Sequence, residues 1–97
     1  MSIQQHNPMH PGVFIKQVYL EPFDIGAKQL ADRLRVSESV ISRILNGKGN
    51  ITSTMALKLS KVIGRSPESW LSMQDNRDLW EAKQKINLDD FEKLEVA

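Results

Sequence analysis

The sequence predicts an all-α domain of five helices, organised around two short helices joined by a tight turn and ending in an extended C-terminal helix. Three observations carry that expectation. Leu30 and Leu34, then Val40, Ile41, Ile44 and Leu45, recur at the three- and four-residue spacing that lines one face of a helix. Start and stop signals bracket these stripes, with Ser37 before the second of them and Gly47 after it. At 97 residues, 40% hydrophobic and 26% charged, the chain has the size and composition of one soluble domain with a single core.

The elements follow in order. Residues 1–9 are polar, contain Pro8 and are expected to be flexible. His10-Pro11-Gly12 opens the first helix, because proline is tolerated at the first helical position; Phe14, Ile15, Val18 and Tyr19 form its buried side and Pro22 ends it. His6 and His10 are four apart but precede the helix and lack further ligands, so they read as polar helix-end residues and no metal is expected. After a turn at 24–26, the second helix covers about 27–34, with small Ala31 where the next helix crosses. Ser37 caps the third helix, about 38–45, and Glu38 suits its positive end.

The loop 46–50 has two glycines, which allow close approach to a surface, and a charge at Lys48. It lacks the Gly-Lys-Ser/Thr ending of a nucleotide-binding loop. Thr52 caps a fourth helix, about 53–63, with Met55, Ala56, Leu59, Val62 and Ile63 inward and Gly64 as its stop. Ser66-Pro67-Glu68 starts a fifth helix that reaches about residue 85, with Trp70 in the core. Trp80, with Leu79 beside it, lies further out than a small core needs. Leu88, Phe91 and Leu94, three apart in an acidic stretch, suggest a short sixth helix.

Charge divides the chain. Residues 16–65 hold nine basic side chains against four acidic, a net +5, whereas residues 66–97 carry a net −4. A basic front and an acidic back suggest two different partners. Without cysteine there are no disulfides, thiol nucleophiles or thiolate metal sites. No apolar run approaches the roughly 20 residues of a membrane span and no signal peptide is evident, so a cytoplasmic location is expected. The close carboxylate pairs, Asp89-Asp90 and Asp75/Asp78, have no histidine or glycine loop beside them, and solvated charge explains them. No catalytic residue and no cofactor is assigned.

The pair of helices across 29–47 resembles the helix-turn-helix of the XRE, or lambda-repressor-like, superfamily. A helix enters the major groove only if its outward face carries short polar or basic side chains, which Ser39, Ser42 and Arg43 provide. Base readout is therefore expected from Ser37, Glu38, Ser39, Ser42 and Arg43, with Arg43 the best match to guanine, and phosphate contacts from Lys28, Lys48 and Thr52. Arg35 stands where the resemblance implies a glycine, at a turn that favours left-handed backbone.

The flanking segments extend the likeness. His10-Pro11-Gly12, Leu20-Glu21-Pro22, Val36-Ser37, Asn46-Gly47, Ile51-Thr52, Ala56-Leu57-Lys58-Leu59 and Ser66-Pro67-Glu68-Ser69-Trp70-Leu71 occur in the order found in the HigA-type antitoxin, or virulence-associated protein I, family, which the chain resembles over about residues 10–85. Gly26-Ala27 stands where that family often has Ser-Gln, which leaves a phosphate contact to Lys28.

The resemblance implies a bacterial homodimer that binds its own operator DNA as a repressor and neutralises a HigB toxin, a ribonuclease of RelE-like fold. On that reading residues 10–86 are the DNA-binding domain and 87–97 an acidic tail. Leu79 and Trp80 are the candidate dimer contacts, and Asp89, Asp90, Glu92 and Glu95 the candidate toxin contacts. A second reading keeps the same fold as a stand-alone or prophage repressor without a toxin.

Overall fold

The computed structural model describes residues 7–95. Five α-helices follow one another: α1 (Pro11–Ile15), α2 (Ala27–Leu34), α3 (Glu38–Leu45), α4 (Ser53–Val62) and α5 (Pro67–Lys85). There is no strand among the described residues. Each boundary has a local cause. Hydroxyls of Ser37, Thr52 and Ser66 accept from the backbone N–H three residues on, at 3.3, 3.2 and 3.1 Å, and so cap α3, α4 and α5.

The helix exits reuse one device. After α2, Val36 N–H donates to Ala31 O and Arg35 N–H to Asp32 O, the paired bonds of a Schellman turn. The turn requires left-handed backbone, and Arg35 adopts it at φ 60°. The glycine-like geometry is thus retained with a side chain in place, at a cost of about 1–2 kcal/mol. Gly47, at φ 78°, meets the same demand after α3 without that cost.

The first helix departs from the expected pattern. It runs on from α1 through a π-helical turn at Lys16–Leu20 into a 3-10 turn at Glu21–Phe23, so Pro22 lies inside the winding and not just past its end. A π turn closes i→i+5 bonds, as Glu21 N–H does to Lys16 O, and shifts the apolar face by one residue. Ile15 and Leu20, five apart, are therefore the buried pair, and Val18, expected inside, is 42% exposed. Val40 and Val62, also expected inward, are likewise exposed; each flanks a stripe that three other residues of its helix already fill. The sixth helix is replaced by one 3-10 turn at Leu88–Asp90 and extended chain, because Leu88, Phe91 and Leu94 have nothing to pack against.

Trp70, fully buried, is the centre of the core. The rings of Phe14 and Tyr19 meet it at 6.2 Å, its Nε1–H donates to Gly64 O at 2.9 Å, and the Arg65 guanidinium covers both Phe14 and Trp70. Leu34, Ile41 and Ile44 are buried between α2 and α3 with Ala31 at their crossing, and Val36 in the turn packs against them partly buried. At Gly12 the backbones of α1 and α3 meet: a Cβ there would fall 1.7 Å from Ile44 O. Of the residues expected to be flexible, 1–6 lie outside the described part, including His6. Asn7 and Pro8 accept hydrogen bonds from the Arg77 guanidinium through Asn7 Oδ1 and the Pro8 carbonyl, at 2.6 and 3.0 Å.

Candidate nucleic-acid interface

The sequence of α3 gives it two unlike faces. Ile41, Ile44 and Leu45 are buried, which turns Ser39 and Arg43 to solvent on the opposite side. Ser37 and Glu38 stand exposed at its N-terminal end. The Ser37 hydroxyl is occupied by the cap to Val40 N–H and lies 3.2 Å from Ser39 Oγ, so the two hydroxyls act as one polar patch. Ser42 sits about 100° round from the outward face and is half-buried, lining a shallow groove with Glu21, Ala27 and Asn46. It is therefore less accessible than Ser39 or Arg43.

Arg43 is held in place from behind. Its Nη2 donates to the Lys48 carbonyl at 3.4 Å, while Lys48 N–H and Gly49 N–H donate to the Arg43 carbonyl at 2.8 and 3.0 Å. The loop after α3 therefore folds back under its last turn. A Cβ on Gly49 would lie 3.0 Å from Ile44 Cγ1, so this close return suits glycine. The same loop leaves Lys48 exposed beside Arg43. Its other end is fixed by Gln74 of α5, which accepts from Ile51 N–H at 2.7 Å just before the Thr52 cap. Thr52 is exposed, with its hydroxyl spent on Met55 N–H. Lys28, on α2, is exposed and pairs with Asp32 at 3.7 Å.

His10 supports the interface without facing it. It is buried, and its Nδ1 accepts from Gly12 N–H at 2.8 Å as the N-cap of α1, with Gly47 against its ring. Burial pushes the imidazole pKa below its ordinary value, with the Arg77 charge acting in the same sense and Gly49, Glu81 and Asp78 opposing. The neutral ring leaves Nδ1 free to accept. Among the described residues no group of three His, Cys, Asp or Glu side chains is arranged to hold a metal ion, and no helix is long and apolar enough to cross a membrane.

Two exposed residues here differ from their sequence reading, which puts Asn46 in the loop and Val40 on the inward stripe of α3. Asn46, exposed at its C-terminal end, follows Ser39 by seven and Arg43 by three, so the spacing already places it on the outward face. An asparagine amide presents the donor and acceptor pair that matches adenine, as an arginine fork matches guanine. Val40 offers an exposed apolar edge of the kind that meets a thymine methyl. The other expected residues lie apart from this surface. Leu79 is 59% exposed on α5, and Trp80 is half-buried under the Arg77 guanidinium at 5.2 Å. Asp89, Asp90, Glu92 and Glu95 are exposed on the C-terminal arm.

Known proteins share this arrangement. The helix-turn-helix family model HTH_3 matches residues 19–70, which contain α2, α3 and α4. Antitoxin HigA-1 of Vibrio cholerae is 35% identical over 85 residues, covering 88% of this chain and 80% of that protein. An addiction module antidote protein of the HigA family from Coxiella burnetii superposes with a TM-score of 0.77 at 36% identity, covering 82% of this chain and 87% of that one. The Pseudomonas aeruginosa antitoxin HigA, solved with the higBA promoter, gives a TM-score of 0.76 at 30% identity, with 79% and 84% covered. With the helix-turn-helix, its flanking elements and the length of the match all in agreement, the chain belongs to the HigA-type antitoxin family of helix-turn-helix transcriptional regulators.

Proposed function

We propose that this chain is an operator-binding autorepressor that also binds and neutralises a HigB-type toxin. The observation that carries the DNA half is the outward face of α3, where Ser39, Arg43 and Asn46 stand clear of the core beside exposed Lys48. In this reading α3 enters the major groove, and Arg43 reads guanine O6 and N7 through its two-pronged guanidinium. Ser37, Glu38, Ser39 and Ser42 contribute at or near base edges, while Lys28, Lys48 and the backbone N–H groups around Thr52 hold phosphates. The P. aeruginosa HigA, solved with the higBA promoter, supports the promoter-binding half of this reading by relationship.

One short helix reads only a few base pairs, so specificity requires two copies on one face of the duplex, about 34 Å apart. The dimer contact is assigned to Leu79 and Trp80 on α5, in a two-fold interface where the same patch meets itself. The toxin contact is assigned to Asp89, Asp90, Glu92 and Glu95, since a ribonuclease that grips RNA is basic and complementary charge steers association.

Arg43→Ala is expected to lose about 1–3 kcal/mol at its base pair and relax preference there, whereas Lys48→Ala weakens binding to every sequence alike. Competition binding with operator and random duplexes reads both; an Arg43→Ala protein with unchanged preference removes α3 as the reading element. Deleting residues 87–97 is expected to weaken toxin binding while the domain keeps its fold, and unchanged toxin affinity rejects the acidic contact.

A further inference from the structure

Among the described residues, Gln74 is the buried polar side chain that joins α5 to the loop after α3. It is only 4% exposed. Its Oε1 accepts from Ile51 N–H at 2.7 Å, and its Nε2 donates to Asn50 Oδ1 at 3.3 Å and to Asp78 Oδ1 at 3.0 Å. The chemistry fixes the orientation of the amide. A backbone N–H can only donate and a carboxylate can only accept, so Oε1 must face Ile51 and Nε2 must face Asp78. Both ends of the amide are thus used, and Asp78, one helical turn along α5, orients it.

The segment so held is short and lies between the two groups assigned to the DNA backbone. Lys48 begins it, pinned by its own N–H to the Arg43 carbonyl, and Thr52 ends it as the cap of α4. Between them, Asn50 and Ile51 have no helix or strand to fix their path. Gly47 and Gly49 let the loop turn back under α3, where their N–H groups donate to Ile44 O and Arg43 O. Past that turn, Gln74 supplies the side-chain bonds that hold Asn50 and the Ile51 N–H, beside the buried Ile51 side chain.

Resting on the operator-binding reading, we propose that Gln74 is a positioning residue for the DNA-backbone contacts: it holds Lys48 and the start of α4 in register with α3, touches no DNA itself, and is aimed by Asp78. Its effect therefore falls on every sequence equally, in contrast to Arg43. It also places the loop under the control of the α5 turn that carries Asp78, adjacent to Leu79 and Trp80.

The test is equilibrium binding of the full chain to its own upstream DNA and to an unrelated duplex of equal length, across a salt series. Gln74→Met keeps the volume and removes every hydrogen bond. Affinity for both duplexes is expected to fall by the same factor, roughly tenfold at low salt, and the slope of log affinity against log salt to shrink by about 1, the signature of one lost phosphate contact. The ratio of operator to random binding stays at the parent value. A merely structural role lowers the melting temperature and the active fraction and leaves the slope alone.

Two milder variants guard against failure to fold. Asn50→Ala, at an exposed position, removes one bond to the loop, and Gln74→Glu keeps the acceptor for Ile51 while setting a second carboxylate against Asp78. Both are expected to shift the slope in the same direction by less. Folded variants with parental slope and affinity, or a loss confined to the operator, overturn the proposal. A parent chain that binds neither duplex at low salt removes the DNA reading and this inference with it, whereas a binding parent with unaltered variants rejects the inference alone.

Discussion

Every buried residue of the described chain lies between His10 and Gln74, and from Asp75 to Glu95 none is buried. The two regions are not distinguished by a lack of apolar side chains in the second. Leu79, Ile86, Leu88, Phe91 and Leu94 lie there, 46–80% exposed. They differ in what those side chains meet. In the first region five helices close on Trp70; in the second, one helix end and an extended arm run past the globule, which gives the molecule extents of 53 × 27 × 23 Å. Scattered exposed leucines need no explanation; here large apolar side chains stand uncovered on a projecting arm with acidic neighbours, the pattern on which the proposed dimer and toxin contacts draw. The core is covered within one chain, whereas the apolar side chains of the arm stay uncovered.

That contrast can be broken at its tightest point. Gly12→Ala would place a methyl against the Ile44 carbonyl, where backbone and not a flexible side chain must yield. Overpacking of this kind is expected to cost about 3 kcal/mol. For a domain of this size a thermal melt followed by circular dichroism should fall by roughly 15 °C. A melt unchanged within a few degrees would mean that α1 and α3 do not meet through their backbones.

The second region should respond differently. Trp80→Ala is expected to leave the melt of each domain near that of the parent, since the ring is covered by Arg77 and not by the core. Its cost falls on association, about 2 kcal/mol, seen as a shift toward monomer in sedimentation and weaker, more concentration-dependent operator binding. A mutant that stays dimeric at the same concentrations puts the interface elsewhere.

The smallest effect has the opposite sign. Arg35→Gly relieves left-handed backbone at an exposed residue and is expected to stabilise the first region by about 1 kcal/mol, raising its melting temperature by roughly 4–8 °C. Operator affinity and its salt dependence are expected to stay at the parent values, because no DNA contact is assigned to Arg35. A lower melting temperature would show that the Arg35 side chain contributes more than its backbone costs.

Local chemistry alone determined most of the first region. Caps act over three residues and helical stripes over seven, so Ser37, Thr52, Ser66, Gly47 and Gly64 marked their boundaries without knowledge of the fold. The same periodicity separated Ser39 and Arg43 from Ile41 and Ile44, and it already held Asn46. The tertiary structure decided what periodicity cannot carry. Val18 turned outward because a π turn displaced the face by one residue, and α-helical spacing assumes that no such turn occurs. Ser42 became half-buried because the π and 3-10 turns after α1 and the start of α2 form a groove beside it, and Leu88, Phe91 and Leu94 formed no α-helix because nothing lay opposite them. Gln74 reads as an ordinary polar residue of α5 until Asn50 and Ile51, more than twenty positions earlier, arrive against it. A hydrogen bond at that separation depends on where two helices pack, and no local pattern in the chain records it.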